Sequence, residues 1–146
     1  MVVVKQELMS SYSKVVKASL IASSVAGVVL GLFMQMRGMI LTISSMAGSE
    51  SMVIGWSMHM MISWIFGLGF GAMTLLSKRY YVVGALHGVI IWVMGPLLIM
   101  PMMMGMGSML GEMFAGAQLM SLVTHLGFSL IMAAVFSRLV HKPTKA

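Results

Sequence analysis

Two kinds of residue in this 146-residue chain can do chemistry: histidines set in apolar surroundings, and methionines in excess. His59 and His125 each lie about two turns inside a long apolar run, and each has a serine four residues on, Ser63 and Ser129. Ionisable side chains are rare within membrane spans and usually face other helices, so each imidazole is a functional candidate. An imidazole nitrogen suits transition metals, and two imidazoles at one depth can also serve as axial ligands of a b-type haem. The competing reading is that each ring bonds a serine or a carbonyl and holds helices together. His87 lies in a third run at a different depth and reads as structural, or as a second station for an ion. His141 falls in the basic tail.

Methionine supplies 21 residues, seventeen of them between Met34 and Met61 or between Met94 and Met120. Thioether sulfur is a soft ligand that selects Cu(I) over hard ions. Met100 with Met104, and Met102 with Met106, are four residues apart, so on a helix each pair can share an ion. Met34, Met36 and Met39 form a counterpart in the earlier stretch. Against this, methionine is an adaptable filler of irregular gaps between glycine-rich helices. The candidate metal ligands are therefore His59, His125, His87, Met100, Met102, Met104, Met106, Met34, Met36 and Met39. Copper(I) is the expected ion, and haem b on His59 and His125 is the alternative.

Other chemistries are poorly served. There is no cysteine, hence no disulfide and no thiolate ligand. Aspartate is absent, and the three acidic residues are Glu7, Glu50 and Glu112. No carboxylate is placed to orient a Ser–His pair. No phosphate loop, zinc motif or nucleotide fingerprint occurs, so no enzyme is expected.

The elements that position these residues follow from composition. The chain is 60% hydrophobic and 8% charged, where a soluble domain carries about 25% charge. With a mean hydropathy of +1.02, its natural solvent is lipid. Four apolar runs predict spanning helices over residues 15–36, 52–77, 80–104 and 117–140, each long enough for a hydrocarbon core of about 30 Å. The first reads as a span, not a cleavable signal, with residues 1–13 as an interfacial segment before it. Residues 38–51 and 105–116 read as loops. A very short turn at Lys78-Arg79 makes the second and third helices antiparallel neighbours. Pro96 and Pro101 should kink or unwind the outer part of the third helix.

Small residues recur at Ser23, Gly27 and Gly31, at Gly67, Gly69 and Gly71, and at Gly84, Gly88 and Gly95, which lets backbones approach closely in lipid. The net charge of +6 is membrane topology, not nucleic-acid binding. Lys5, Lys14, Lys17, Lys78, Arg79, Arg138, Lys142 and Lys145 fall on the side of the termini, and only Arg37 on the other. The bias predicts cytoplasmic termini and outward methionine-rich loops.

The two halves look alike. Gly27-Val28-Val29-Leu30 aligns with Gly88-Val89-Ile90-Ile91, and His59, Ser63 and Gly67 align with His125, Ser129 and Ala133. Two hairpins in one orientation imply a pseudo-two-fold axis along the membrane normal.

The stretches Gly84–Trp92 (GALHGVIIW) and His125–Leu139 (HLGFSLIMAAVFSRL) resemble small four-helix prokaryotic membrane proteins of the YagU-like type. The pattern is His125, Phe128, Ser129, Ala133, Phe136, Arg138 and Leu139, with Ser129 and Ala133 where glycines are expected. The resemblance covers about half the chain. It implies four helices and a recurring histidine on the last, and no activity.

The expectation is thus a single all-α domain: an integral membrane four-helix bundle of two tandem helical hairpins. It is multi-pass in the cell (inner) membrane with both termini cytoplasmic. Outward methionines capture Cu(I), and His59 with His125 hold it about two turns deep, facing one another. The alternative is an accessory or b-type haem-binding subunit of a larger membrane complex. Lipid bilayer is the expected partner, with a homo-oligomer or larger complex beside it and no nucleic acid.

Overall fold

Four helical spans with apolar surfaces on every side leave the backbone one way to satisfy its polar groups in lipid, which is to hydrogen-bond within each span. The computed structural model describes residues 2–141 and has this form: an all-α, four-helix, multi-pass membrane bundle. The spans are Ser11–Met36, Met52–Leu76, Tyr80–Met103 and Gly116–His141. The tail expected beyond His141 lies outside the described residues.

The first helix, α1 (Val2–Met36), is one unbroken run of 35 residues. The segment expected to lie separately on the membrane is continuous with the span. No glycine or proline occurs before Gly27, so nothing interrupts the ladder. At 1.5 Å per residue α1 is about 52 Å long, well beyond a hydrocarbon core. It ends where Gly38 takes φ 72°, a left-handed turn that glycine adopts without strain.

The first loop is not irregular throughout. Met39–Ser45 forms a short helix, α2. Ile40, Ile43 and Ser44 share its buried face, and Ile40 seats on Gly55 near the start of the second span, α3 (Met52–Leu76). Ser44 Oγ donates to the Ser51 carbonyl at 2.9 Å and closes the loop. Two isoleucines three residues apart, with Ser44 beside them, dock this short helix onto a glycine.

The third span begins as α4 (Tyr80–Trp92), widens into π-helical turns over Val93–Ile99, and ends as α5 (Met100–Met103). Proline explains the widening. Pro96 has no N–H for the Trp92 carbonyl, and Pro101 has none for the Leu97 carbonyl. The chain satisfies the second from outside the helix: Met109 N–H donates to Leu97 O at 2.8 Å. Gly105 and Gly107, at φ 73° and 75°, turn the chain back to make that bond. After a single 3₁₀ turn at Leu110–Glu112 comes the last span, α6 (Gly116–His141).

The packing order around the bundle is α3, α1, α6, α4. Although α3 and α4 are joined by a three-residue turn, they touch only lightly, while α3 leans on α1 and α4 on α6. Glycines decide this. A methyl added at Gly67 would land on Ser23, one at Gly71 on Ser19, and one at Gly84 would sit 3.0 Å from Ala133 Cβ. Helices associate in lipid by such close approach, not by hydrophobic burial. The approach at Gly71 leaves Ser19 Oγ buried without a hydrogen-bond partner. Ala18, Ala22 and Ala26 of α1, Phe70 of α3, Val83 and Ile91 of α4, and Phe128, Met132 and Phe136 of α6 fill the core.

Candidate functional site

Each of the three intramembrane imidazoles has a different setting. His59, on α3, is 8% exposed. Its Nε2–H donates to the Gly27 carbonyl of α1 at 2.9 Å. Gly27 leaves that carbonyl uncovered, and Gly31 makes room one turn on. A methyl at Gly31 would press on the Trp56 ring and sit 3.1 Å from His59 Cδ2. Trp56 stands edge-on to the imidazole with centroids 5.8 Å apart. The bond to a carbonyl places the ring proton on Nε2 and leaves Nδ1 with its lone pair. Met60 Sδ reaches the same glycine, 3.3 Å from where a Gly27 Cβ would be. Ser63 Oγ lies closer still to that position, at 2.8 Å, so a serine, a thioether and an imidazole all pack around Gly27.

His125, on α6, is half-buried. Its Nδ1–H donates to the Ser121 carbonyl of its own helix at 2.7 Å, with Ser121 Oγ 3.5 Å away. That fixes the other tautomer and leaves Nε2 unprotonated. The sequence places His59 and His125 at one depth and expects them to meet. Among the described residues no hydrogen bond or ring contact joins them. They sit on α3 and α6, which stand diagonally across the bundle and meet through Phe70 and Phe136 at 5.4 Å, not through these histidines, and each ring turns to a partner elsewhere.

His87 is the most enclosed of the three at 3% exposure. Its Nδ1 lies 2.9 Å from Ser129 Oγ of α6, and Phe66 and Phe70 of α3 stand edge-on at 6.4 and 5.8 Å. It therefore ties α4 to α6 and packs on α3. The sequence pairs Ser63 and Ser129 with the histidines one turn before them, and the structure redistributes both. Ser63 Oγ donates to the His59 main-chain carbonyl at 2.8 Å, the usual habit of serine inside a helix. Ser129 serves His87. Nothing in the sequence marks this partnership, because it depends on the close approach of α4 and α6 at Gly84, where an added Cβ would sit 3.0 Å from the Ser129 carbonyl oxygen.

The methionines gather at the loop end of the bundle. Met102, Met103, Met104 and Met106 are 47–62% exposed within five residues of chain, and Met100 is half-buried beside them. Met100 and Met104 are one helical turn apart, with Met104 N–H donating to Met100 O. Met102 and Met106 are not. The helix ends at Met103, and the positive φ of Gly105 swings Met106 away to bond the Pro101 carbonyl at 2.9 Å. Met34, Met36 and Met39 sit at the same end but on the α1–α2 corner, with Met36 fully out at 86%. Each loop packs on its own hairpin. Among the described residues no group of three or more histidine or acidic side chains could hold a metal ion, so an ion here would have to use thioethers and single imidazoles.

No protein-family model, no curated protein and no solved structure matches this chain.

Proposed function

We propose that the chain is a non-enzymatic membrane protein that binds or passes a soft monovalent metal ion, Cu(I), from its loop end. The observation that carries this reading is the turn Met100–Met106. Pro101 and the left-handed Gly105 within it fold it back on itself, with Pro96 and Gly107 on either side, and the bonds from Met106 N–H to the Pro101 carbonyl and from Met109 N–H to the Leu97 carbonyl pin it there. It presents four thioethers to the surface at once. A backbone pinned in this way lowers the entropy lost when thioethers on one face, such as Met100 and Met104, close around an ion. Deeper in, His59 supports the same reading. A ligating imidazole typically donates its second nitrogen to a carbonyl, which sets the tautomer and the ring direction, and His59 does this with Gly27. We read His59 by itself, not a His59–His125 pair, as the inner station. His125, held on its own helix with Nε2 unprotonated, is a separate station.

We read the bias of the cations toward the end that carries the termini as the positive-inside rule, with cytoplasmic termini in the cell membrane and the methionine turn outward. We also read the fold as two tandem hairpins. The contact of Ser23 with Gly67 in the first corresponds, in the alignment above, to that of Gly84 with Ala133 in the second. The histidines depart from the symmetry, since His59 reaches across to Gly27 while His125 bonds its own helix.

The test is a competition between the purified, detergent-solubilised protein and a chromogenic Cu(I) chelator under anaerobic conditions. At least one Cu(I) per chain, retained through gel filtration, is the expected result. A colourless chain that leaves all Cu(I) with a micromolar chelator overturns the proposal. A Soret band in the same sample would instead favour the haem-bearing subunit.

A further inference from the structure

At the opposite end of the bundle lies an open groove of about 610 Å³ between the start of α4 and the last turn of α6. Lys78, Arg79, Arg138 and His141 line it, with Tyr80 and Tyr81. We infer that this groove is a binding site for an anionic phospholipid, whose phosphate sits among Lys78, Arg79 and Arg138 and whose acyl chains run up the outer face of α4.

Three observations support it. The lining contains no acidic side chain, and among the described residues no salt bridge occupies these cations. The amino terminus of α4 opens into the same place. Arg79 is its N-cap and no side chain caps it, so first-turn N–H groups remain available to an anion, on the positive end of the helix dipole. The groove is also not purely polar. Tyr81, Val82 and Leu86, 55–63% exposed, continue from it along the lipid-facing side of α4. An occupant that satisfies both parts is an amphiphile with a phosphate head, and tyrosines at the rim suit the headgroup level. Cations that only met the average charge of a leaflet would need no such recess. Lys14 and Lys17, on α1 at the same end, line no part of it.

The experiment measures lipid retention by native mass spectrometry and thermal stability of the full chain in neutral detergent. Phosphatidylglycerol should stay bound and raise the melting temperature, and phosphatidylcholine should do neither. R79Q/R138Q should weaken phosphatidylglycerol binding by about thirtyfold, R79K/R138K should keep most of it, and K14Q/K17Q should leave it unchanged. Equal losses in R79Q/R138Q and K14Q/K17Q would reduce the site to diffuse charge and overturn the inference. So would equal binding of the two lipids, or displacement of phosphatidylglycerol by millimolar inorganic phosphate, which would make this a site for the free anion. None of these outcomes depends on Cu(I).

Discussion

Whether His87 is a bundle cross-link or a stop on an ion path can be decided by a double-mutant cycle with Ser129. The two side chains meet at 2.9 Å from positions 42 residues apart, and both are enclosed, at 3% and 0% exposure. Interhelical hydrogen bonds in membranes average about 0.6 kcal/mol and reach about 1.7. Ser129→Ala removes the bond and strands an imidazole nitrogen, so it should cost about 1–2 kcal/mol. His87→Leu removes the bond and two edge-on ring contacts, at about 0.5–1.5 kcal/mol each, and should cost about 2 kcal/mol. It leaves the Ser129 hydroxyl free to bond the His125 carbonyl one turn back, as serines in helices do. The double variant should then be less destabilised than the sum by about 1 kcal/mol. Reversible unfolding in mixed micelles, followed by far-UV circular dichroism, reads all four corners. A coupling energy below about 0.3 kcal/mol would refute the bond, because distant sites already add to within that margin. If Cu(I) affinity also stays at the wild-type value in Ser129→Ala and His87→Leu, the ring is structural. A loss of ten times or more in His87→Leu alone would return it to the ion path.

Three further outcomes follow from named contacts. The variant M102L/M103L/M104L/M106L keeps volume and removes four exposed thioethers, so its fold should shift by less than about 1.5 kcal/mol while chelator competition shows Cu(I) affinity down at least tenfold; retention of wild-type affinity would remove the turn from the site. Gly67→Ala should lower unfolding stability by about 1–3 kcal/mol because its methyl meets Ser23. Gly69→Ala, whose methyl would have only His87 Nε2 within 4 Å, should be neutral or gain up to about 1 kcal/mol, and a reversed order in the same unfolding assay would contradict the packing. Pro101→Ala gives residue 101 an N–H that competes for the Leu97 carbonyl, so amide exchange at Met109 should speed up several-fold, and an unchanged rate would mean Met109 does not depend on that acceptor.

The four spans were legible in the residues because lipid leaves a long apolar run no alternative to helix. Expected spans 52–77 and 117–140 fall within a residue or so of Met52–Leu76 and Gly116–His141. Proline at 96 and 101 announced the disturbed outer third of the third span, and His59, Ser63 and Gly67 do share one buried face. Which helix each face meets was not legible. In water, the polar side of a helix marks the outside; here every side is apolar, so Val53, Ile65 and Leu76 lie exposed while Ser23, Ser63 and Ser129 are buried. Partner choice fell to close approaches at Gly67, Gly71 and Gly84, which depend on shapes from two helices at once. The same cause separated His59 from His125, gave Ser129 to His87, and let one positive φ at Gly105 part Met106 from Met102. Spacing along a helix sets which residues share a face; only packing sets what that face touches.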